Sequence, residues 1–229
     1  MTLTLEYVMS KSAKKLEGLL PVVRTATERL IQRSFATGIP IVITQGLRTV
    51  AEQNELYAQG RSKPGQVVTN ASGGYSFHNF GVAVDFALLL PDGRSVSWDT
   101  SRDGNADRKA DWMQVVSIGK ALGFEWGGDW TSFRDLPHFQ MTFGLSTAQY
   151  RAGKRPSQAQ IRTVMKRIGE GVEERMDKAA VTVNGKKIED GVLIGGTVFV
   201  PLRAVGDALD LQVGWDNQNK TASLTDKSK

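Results

Sequence analysis

Cysteine is absent from this 229-residue sequence, and only two histidines, His78 and His138, are present. Without cysteine the chain forms no disulfide, holds no metal through thiolates and has no cysteine nucleophile. Any imidazole chemistry must therefore use one or both of these two histidines.

Long hydrophobic runs are missing as well. No apolar stretch approaches the about 18 residues that a helix needs to cross a bilayer, so the sequence predicts no transmembrane segment. The first twenty residues do not follow the pattern of a secretory signal, because Lys11, Lys14, Lys15 and Glu17 interrupt a short apolar stretch. We therefore expect a protein that is made in a cytoplasm.

The composition, with 40% hydrophobic and 23% charged residues, is typical of a globular protein and excludes a disordered or fibrous chain. The formal net charge is +5. A positive balance favours anionic partners such as nucleic acid, a membrane surface or a cell-wall polymer, without choosing among them.

The hydrophobic pattern predicts helices and short strands in the first 150 residues. Helices are expected from Pro21 to Gly38, from the capping-box sequence at Thr49 to Gly60, and over 111–122. Short β-branched or densely apolar runs predict strands at 41–44, 80–90, 124–126 and 138–142.

From Arg151 onward the character of the chain changes. Basic residues follow one another with no acid until Glu170, and an apolar stripe at helical spacing runs through them. We interpret 153–178 as a basic linker helix, which either packs a solvated face on the first domain or binds an anionic polymer. Residues 179–229 predict a small β-rich unit that includes an Asn184-Gly185 hairpin turn.

Both histidines stand beside carboxylates in segments that otherwise resemble core. Asp85 lies inside the apolar run 81–90, where an unpaired carboxylate would cost several kcal/mol. One interpretation is a zinc site, because His78, His138 and Asp85 form an N,N,O ligand set that leaves a position for water. Asp135, three residues before His138, is then the candidate to take a proton from that water. The alternative is two structural histidines and a salt-bridged Asp85.

A serine mechanism is a rival, since Ser76 and His78 would share one face of an extended segment. The sequence around Ser76 lacks the Gly-x-Ser-x-Gly pattern of a nucleophile elbow. We therefore favour the metal interpretation, which predicts sensitivity to a chelator.

The motifs Ser76-x-His78-x-x-Gly81-x-Ala83-x-Asp85 and Asp135-x-x-His138 stand in the first domain, with supporting stretches at 43–49, 51–61, 124–130 and 137–140. Together they resemble the signature of the zinc peptidases of the D-alanyl-D-alanine carboxypeptidase family. Within it, the chain is most similar to the L-alanyl-D-glutamate endopeptidases of phage endolysins and related wall hydrolases. The resemblance covers roughly residues 12–152.

The resemblance implies an α+β fold over residues 1–152, with helices flanking a small antiparallel sheet at the zinc site. It implies zinc ligands at His78, Asp85 and His138.

The resemblance also assigns roles around the metal. It implies a catalytic base at Asp135 and an arginine, Arg48, beside the polarised carbonyl, where a guanidinium would favour the developing oxyanion. Ser76 and Gln45 are candidate substrate contacts, although each could simply satisfy backbone groups.

A second set of oxygen-bearing residues follows the spacing of a calcium loop. Its members are Asp103, Asn105, Asp107 and Asp111. Arg108 stands where glycine is expected, and Gln114 replaces the bidentate glutamate. These departures favour a polar surface loop before the next helix over a calcium site.

The tail resembles the small repeat found at the start of copper amine oxidases and in many bacterial surface proteins. The match rests on 181–185, 198–203 and 214–216. Copper is not expected, because the segment has no His or Cys and its side-chain oxygens are poor copper ligands. A wall-targeting or spacer module is our hypothesis.

Taken together, these features predict a zinc endopeptidase that cuts peptidoglycan stem peptides between L-Ala and D-Glu. Two alternatives stay open: a D-Ala-D-Ala carboxypeptidase or dipeptidase, because the motifs do not encode the pocket walls, and a non-catalytic wall-binding protein with a structural zinc. The expected partners are the stem peptide and, through the linker and tail, anionic wall polymers. Nucleic acid is not expected, because no stacking aromatics interleave the basic residues. The lack of a secretory signal peptide fits a phage endolysin, which is held in the host cytoplasm and acts on the cell wall after release.

Overall fold

The computed structural model describes residues 3–173, 177–194, 197–217, 219 and 221–227, with side chains left out at 170–178 and 192–197. The chain divides into two compact units, unit 1 up to Ile168 and unit 2 from Gly169. None of the helices within these described ranges is long and apolar enough to cross a bilayer.

Unit 1 combines helices with one antiparallel sheet. The helices are α1 (Leu5–Ser12), α2 (Pro21–Ala36), α3 (Val50–Ala58), α4 (Asp111–Ala121), α5 (Thr147–Arg151) and α6 (Gln158–Glu173), the last running past the unit boundary. The strands are β1 (Ile41–Gln45), β2 (Ala83–Leu89), β3 (Val96–Ser97), β4 (Glu125–Trp126) and β5 (His138–Gln140). Short 3₁₀ helices lie at Ala13–Leu16, Phe77–Phe80 and Gly127–Asp129. The predicted α+β class is confirmed.

The sheet has the strand order β1-β2-β5-β4, with β3 also paired to β2, and every pairing is antiparallel. Successive side chains of a strand point to opposite faces. Val84 and Phe86 therefore enter the hydrophobic core, as does Phe139 of β5, while Asp85 and His138 point to the other face. This alternation puts polar side chains on a cleft in the middle of an otherwise apolar sheet.

The core lies between the sheet and the helices. The ring of Phe86 packs on Trp112 of α4 at 4.4 Å and on Phe139 at 5.2 Å, measured between ring centroids. All three side chains are fully buried. Helix α6 adds Val164 and Ile168 to the same core, so this part of the basic stretch packs on unit 1.

The predicted strand at 80–90 begins later than expected, at Ala83. Phe77–Phe80 is a 3₁₀ helix instead, and Gly81 ends it with φ of 66°, in the left-handed region that only glycine adopts freely. A Cβ at Gly81 would also lie 2.5 Å from the carbonyl oxygen of Gly18. The chain therefore turns here before it can extend.

Unit 2 consists of short strands and one helix. Its elements are β6 (Asp177–Ala179), β7 (Thr182–Val183), β8 (Lys186–Lys187), β9 (Gly191–Ile194), β10 (Thr197–Phe199), α7 (Leu202–Ala208), β11 (Leu211–Asp216) and β12 (Thr221–Asp226). The hairpin of β7 and β8 turns at Asn184 and Gly185, both with positive φ, as the Asn-Gly pair predicts. Strands β11 and β12 form a second antiparallel pair.

Candidate active site

Three side chains from separate segments meet at the centre of the unit 1 sheet. Asp85 of β2 lies directly opposite His138 of β5 in the antiparallel register. His78 comes from the 3₁₀ helix that precedes β2. Both histidines are buried, with 3% and 5% of their surface exposed.

The local sequence around His78 fixes its position. The Oγ of Ser76 accepts a hydrogen bond from the backbone N–H of His78, and the Asn79 side chain accepts one from the backbone N–H of Ser76, which completes a capping box. Asn79 also donates to the carbonyl oxygen of Arg48. The 3₁₀ helix is therefore capped at its start and tied to the loop after β1.

The three potential ligand atoms form a nearly equilateral triangle. Nε2 of His78 lies 3.2 Å from Oδ1 of Asp85 and 3.1 Å from Nδ1 of His138, and the third edge is 3.1 Å. In a tetrahedral zinc site with ligand bonds of about 2.0–2.1 Å, ligand atoms lie about 3.3 Å apart. Among the residues that the structure describes, this is the one group of three such side chains close enough to hold a metal ion.

Outer contacts decide which ring atoms face the centre of this triangle. Nδ1 of His78 donates to the carbonyl oxygen of Gly46 at 2.8 Å, and Nε2 of His138 donates to Oε1 of Gln140 at 3.1 Å. Gln140 in turn donates to Glu125 at 2.9 Å. The remaining ring nitrogens therefore present lone pairs to one another and to the Asp85 carboxylate, an arrangement that a cation would stabilise.

The electrostatics of the cluster also favour a bound cation. Burial acts to raise the pKa of Asp85, but the charges and hydrogen bonds of the two histidines outweigh it and hold that pKa well below its usual value. Burial acts to lower the pKa of His138, while the hydrogen bond and charge of Asp85 prevail and raise it. In the absence of metal, the carboxylate therefore favours a positive charge on its neighbours. A divalent ion supplies that charge, so the donor set fits zinc.

Arg48 lies at the edge of the cluster. Its Nη2 is 3.7 Å from Oδ2 of Asp85, and its Nη1 donates to Oε1 of the buried Gln53 at 2.8 Å. Burial lowers the pKa of this guanidinium. Its Nε is buried and has no hydrogen-bond partner among the residues described. The group is thus held on one side by protein and keeps an unused donor.

Asp135 lies in the same cleft, on the loop that leads into β5. Its backbone N–H donates to Gly127, and its carbonyl accepts from the backbone N–H of His138. Burial, followed by the charge of Asp85, raises the pKa of the Asp135 carboxyl. A Cβ at Gly127 would lie 2.5 Å from the Asp135 carbonyl oxygen, so glycine is needed there for the loop to approach.

The cleft that contains the cluster has a volume of about 640 Å³ and is lined by residues from 44–56, 68–78 and 130–140, together with Asp85 and Trp98. Ser76 lines it. Gln45 is not part of the lining, and its side chain donates to the carbonyl oxygen of Leu47. The serine alternative loses its basis, because the ring nitrogens of His78 contact Gly46, Asp85 and His138 rather than Ser76.

Most side-chain oxygens of the calcium-like loop accept hydrogen bonds from backbone groups of the loop itself. Asp103 accepts from the backbone N–H groups of Asp107 and Arg108, and Asp107 accepts from Lys109. Asp111, the first residue of α4, accepts from the N–H of Gly104. These contacts correspond to the polar surface loop that the sequence favoured, and they give no support to a calcium site.

Several residues of the site could not be picked out from the sequence. Gly46, Gln53 and Gln140 contact Arg48 or the histidines from outside, and Glu125 contacts Gln140. Gln140 offers a faint signal, since its position two residues after His138 in a strand places it on the same face. Gly46 and Glu125 act through contacts between segments that are distant in sequence, whereas Gln53 lies five residues from Arg48.

Comparison with known families matches each unit separately. The model of the family described as D-alanyl-D-alanine carboxypeptidase matches residues 69–141, and that of the copper amine oxidase N-terminal domain matches residues 182–229. The first range holds His78, Asp85, His138 and Asp135. The second lies within unit 2.

Individual proteins are similar to the first part of the chain. The peptidoglycan L-alanyl-D-glutamate endopeptidase CwlK of Bacillus subtilis (strain 168) is 52% identical over 123 residues, which are 54% of this chain and 73% of the relative. The L-alanyl-D-glutamate peptidase of Listeria phage A118 is 30% identical over 148 residues, 64% of this chain and 47% of the relative, so the match spans just under half of that protein. A crystal structure of the Serratia marcescens L-Ala D-Glu endopeptidase ChiX aligns with a TM-score of 0.43 at 27% identity, over 59% of this chain and 89% of that one.

Proposed function

The chain belongs to the D-alanyl-D-alanine carboxypeptidase family of zinc-dependent peptidases, and from this membership we propose that it cleaves the L-Ala–D-Glu bond of peptidoglycan stem peptides. The observation that carries the proposal is the triangle of His78, Asp85 and His138, whose lone pairs converge in a cleft that also holds an acid and an arginine. The choice of the scissile bond rests on the names of the relatives, which are L-alanyl-D-glutamate peptidases.

The proposed zinc ligands are Nε2 of His78, Nδ1 of His138 and Oδ1 of Asp85. A zinc ion held by them would lower the pKa of a bound water to about 7 and would polarise a carbonyl as a Lewis acid. The Gly46 carbonyl and the Gln140 side chain keep both imidazoles in the tautomer that such ligation needs.

Asp135 is the proposed general base and acid. Its carboxylate takes the proton of the attacking water as the water oxygen bonds to the L-Ala carbonyl carbon, and it returns the proton to the nitrogen of D-Glu as the peptide bond breaks. The raised pKa of Asp135 suits both steps, since it makes the carboxylate a stronger base than an ordinary aspartate.

Arg48 is proposed to stabilise the negative charge that develops on the carbonyl oxygen. Its fixed position supports this role: Nη1 is held by Gln53 and Nη2 faces the cluster, 3.7 Å from Asp85, and a preorganised donor needs no reorientation as charge develops. Ser76, which lines the cleft, and Gln45, which braces the Leu47 carbonyl, are proposed to position substrate directly and through the loop respectively.

We assign catalysis to residues 1–152, a basic linker role to 153–178 and wall attachment to 179–229. The match of unit 2 to a family of its own supports its treatment as a separate module. Anionic wall polymers are the proposed partner of the linker and unit 2, and the basic residues between Arg151 and Arg167 supply the positive charge for this interaction. Sedimentation of the protein with purified walls, before and after removal of residues 179–229, tests the role of unit 2; equal binding of both forms would discard that role.

Mass spectrometry of digested peptidoglycan tests the activity. New peptides that begin with D-Glu support the endopeptidase, whereas released D-Ala would point to the carboxypeptidase that the family description names. Full zinc loading without any cleavage would indicate a non-catalytic wall-binding protein.

The variant Asp135→Asn tests the mechanism. We expect it to abolish turnover and to leave zinc stoichiometry near that of the unmodified protein, because Asp135 is proposed as a base and not as a ligand. Loss of zinc from this variant would instead make Asp135 a ligand.

A further inference from the structure

Exposed aromatic side chains in unit 1 are concentrated at the cleft. Of the side chains described in this unit, three aromatic ones are more than a third exposed: Tyr75 at 56%, Trp98 at 50% and Phe133 at 49%. All three line the cleft that holds the His78–Asp85–His138 cluster. Apolar surface gathered at one place in this way marks a binding site more often than scattered exposure does.

These three residues, which we call the aromatic rim, are held in place by their surroundings. The guanidinium of Arg151 stacks over the Tyr75 ring at 3.7 Å and donates to the carbonyl oxygen of Gly74. Trp98 packs against the buried Trp112, with 6.4 Å between ring centroids. Phe133 has φ of 49°, a conformation that is unusual for a bulky residue and is frequent at ligand sites.

The polar part of the lining indicates the charge of the ligand. Among the described residues that line the cleft, Arg48 is the one Lys or Arg, and it already faces Asp85. Apart from the cluster and Asp135, the polar groups are neutral hydroxyls and amides, among them Thr69, Asn70 and Ser132. Aromatic faces beside neutral donors and acceptors suit an uncharged, hydroxylated ligand such as an N-acetylated sugar, and they do not suit an anionic polymer.

We propose that the aromatic rim binds the N-acetylmuramoyl sugar that carries the stem peptide. This inference rests on the proposed function: in peptidoglycan, L-Ala is joined to the lactyl group of that sugar, so a single residue separates the sugar from the scissile bond. One extended residue spans about 3.3–3.6 Å, which keeps the sugar close to the cluster. The C–H faces of the ring pack on the aromatic rim, and its hydroxyl and acetamido groups meet the neutral polar side chains.

The test compares two substrates that differ only in the sugar. One is the N-acetylmuramoyl tripeptide, and the other is the same tripeptide with an N-acetylated L-Ala, so that neither has a free amine. We expect kcat/KM to be about tenfold higher for the sugar-linked substrate, the factor that corresponds to about 1.4 kcal/mol. Trp98→Ala and Tyr75→Ala should bring the ratio of the two kcat/KM values towards one, and Trp98→Phe, which keeps an aromatic face, should restore most of the preference.

Trp215→Ala is the matched control, since this tryptophan is exposed and belongs to unit 2; the ratio should not change. Equal kcat/KM for both substrates in the unmodified enzyme would overturn the role of the aromatic rim and leave the proposed function standing, as would an unchanged ratio in both alanine variants. Cleavage of neither substrate would overturn the proposed function and this inference with it.

Discussion

The contact between Gln140 and His138 yields a quantitative prediction about zinc affinity. The Oε1 of Gln140 accepts the Nε2 proton of His138 at 3.1 Å, while its own amide donates to Glu125 at 2.9 Å. Gln140→Leu keeps the approximate volume but leaves the buried N–H of His138 without an acceptor. The imidazole then gains by moving its proton to Nδ1, the atom that faces Asp85.

Loss of such an outer contact typically lowers metal affinity by about 10–100-fold, which corresponds to about 1.4–2.7 kcal/mol. We expect a decrease of this size in the zinc affinity of Gln140→Leu, measured by competition with a chromogenic chelator. Gln114→Leu is the control, because its amide bonds Asp107 away from the cluster.

An exchange of the two partners sharpens the test. Gln140→Glu alone places a second carboxylate against Glu125 and should weaken zinc binding. Combined with Glu125→Gln, the same change restores a carbonyl-type acceptor for His138 and a donor behind it, so the double variant should recover most of the affinity. If Gln140→Leu binds zinc within about a factor of two of the unmodified protein, the argument that this contact fixes the tautomer is wrong.

Three further predictions concern stability. Zinc at 100 times its dissociation constant should stabilise the protein by about 2.7 kcal/mol relative to a chelated sample, and an unchanged melting temperature would contradict a metal site at the cluster. In chelated protein, Asp135→Asn should raise the free energy of unfolding at pH 7 and not near pH 3.5. Because the pKa of Asp135 is raised in the folded state, the stability that its protonated form contributes is present below about pH 3.9 and is lost as pH rises through the folded-state pKa. Equal effects of the substitution at both pH values would refute this. Gly127→Ala should lower the free energy of unfolding, measured in urea, by about 1–3 kcal/mol, because its Cβ would lie 2.5 Å from the Asp135 carbonyl oxygen. Gly169→Ala, with open space around it, should not lower it. Similar free energies of unfolding for the two variants would contradict the close approach at Gly127.

Local sequence was sufficient for much of the fold. The capping box of Thr49 and Glu52 starts α3, and the Asn184-Gly185 pair makes the turn between β7 and β8, because both depend on groups a few residues apart. The strand at 80–90 was placed too early, since hydrophobicity alone does not reveal the turn at Gly81. The apolar stripe of the linker helix left open whether that helix packs on the first domain, since such a stripe fits several neighbours equally well; tertiary structure places Val164 and Ile168 in the core of unit 1.

The candidate site also combines features that the sequence determines with features that only the tertiary structure determines. Residue type and apolar surroundings already singled out His78, Asp85 and His138, because a carboxylate and two imidazoles inside apolar segments need partners. Tertiary structure alone decided that their lone pairs converge within 3.2 Å, that Gly46 and Gln140 hold the outer ring protons, and where the aromatic rim lies. Those distances arise when β2 pairs with β5 and the loops close over them, and no property of a single segment encodes the pairing.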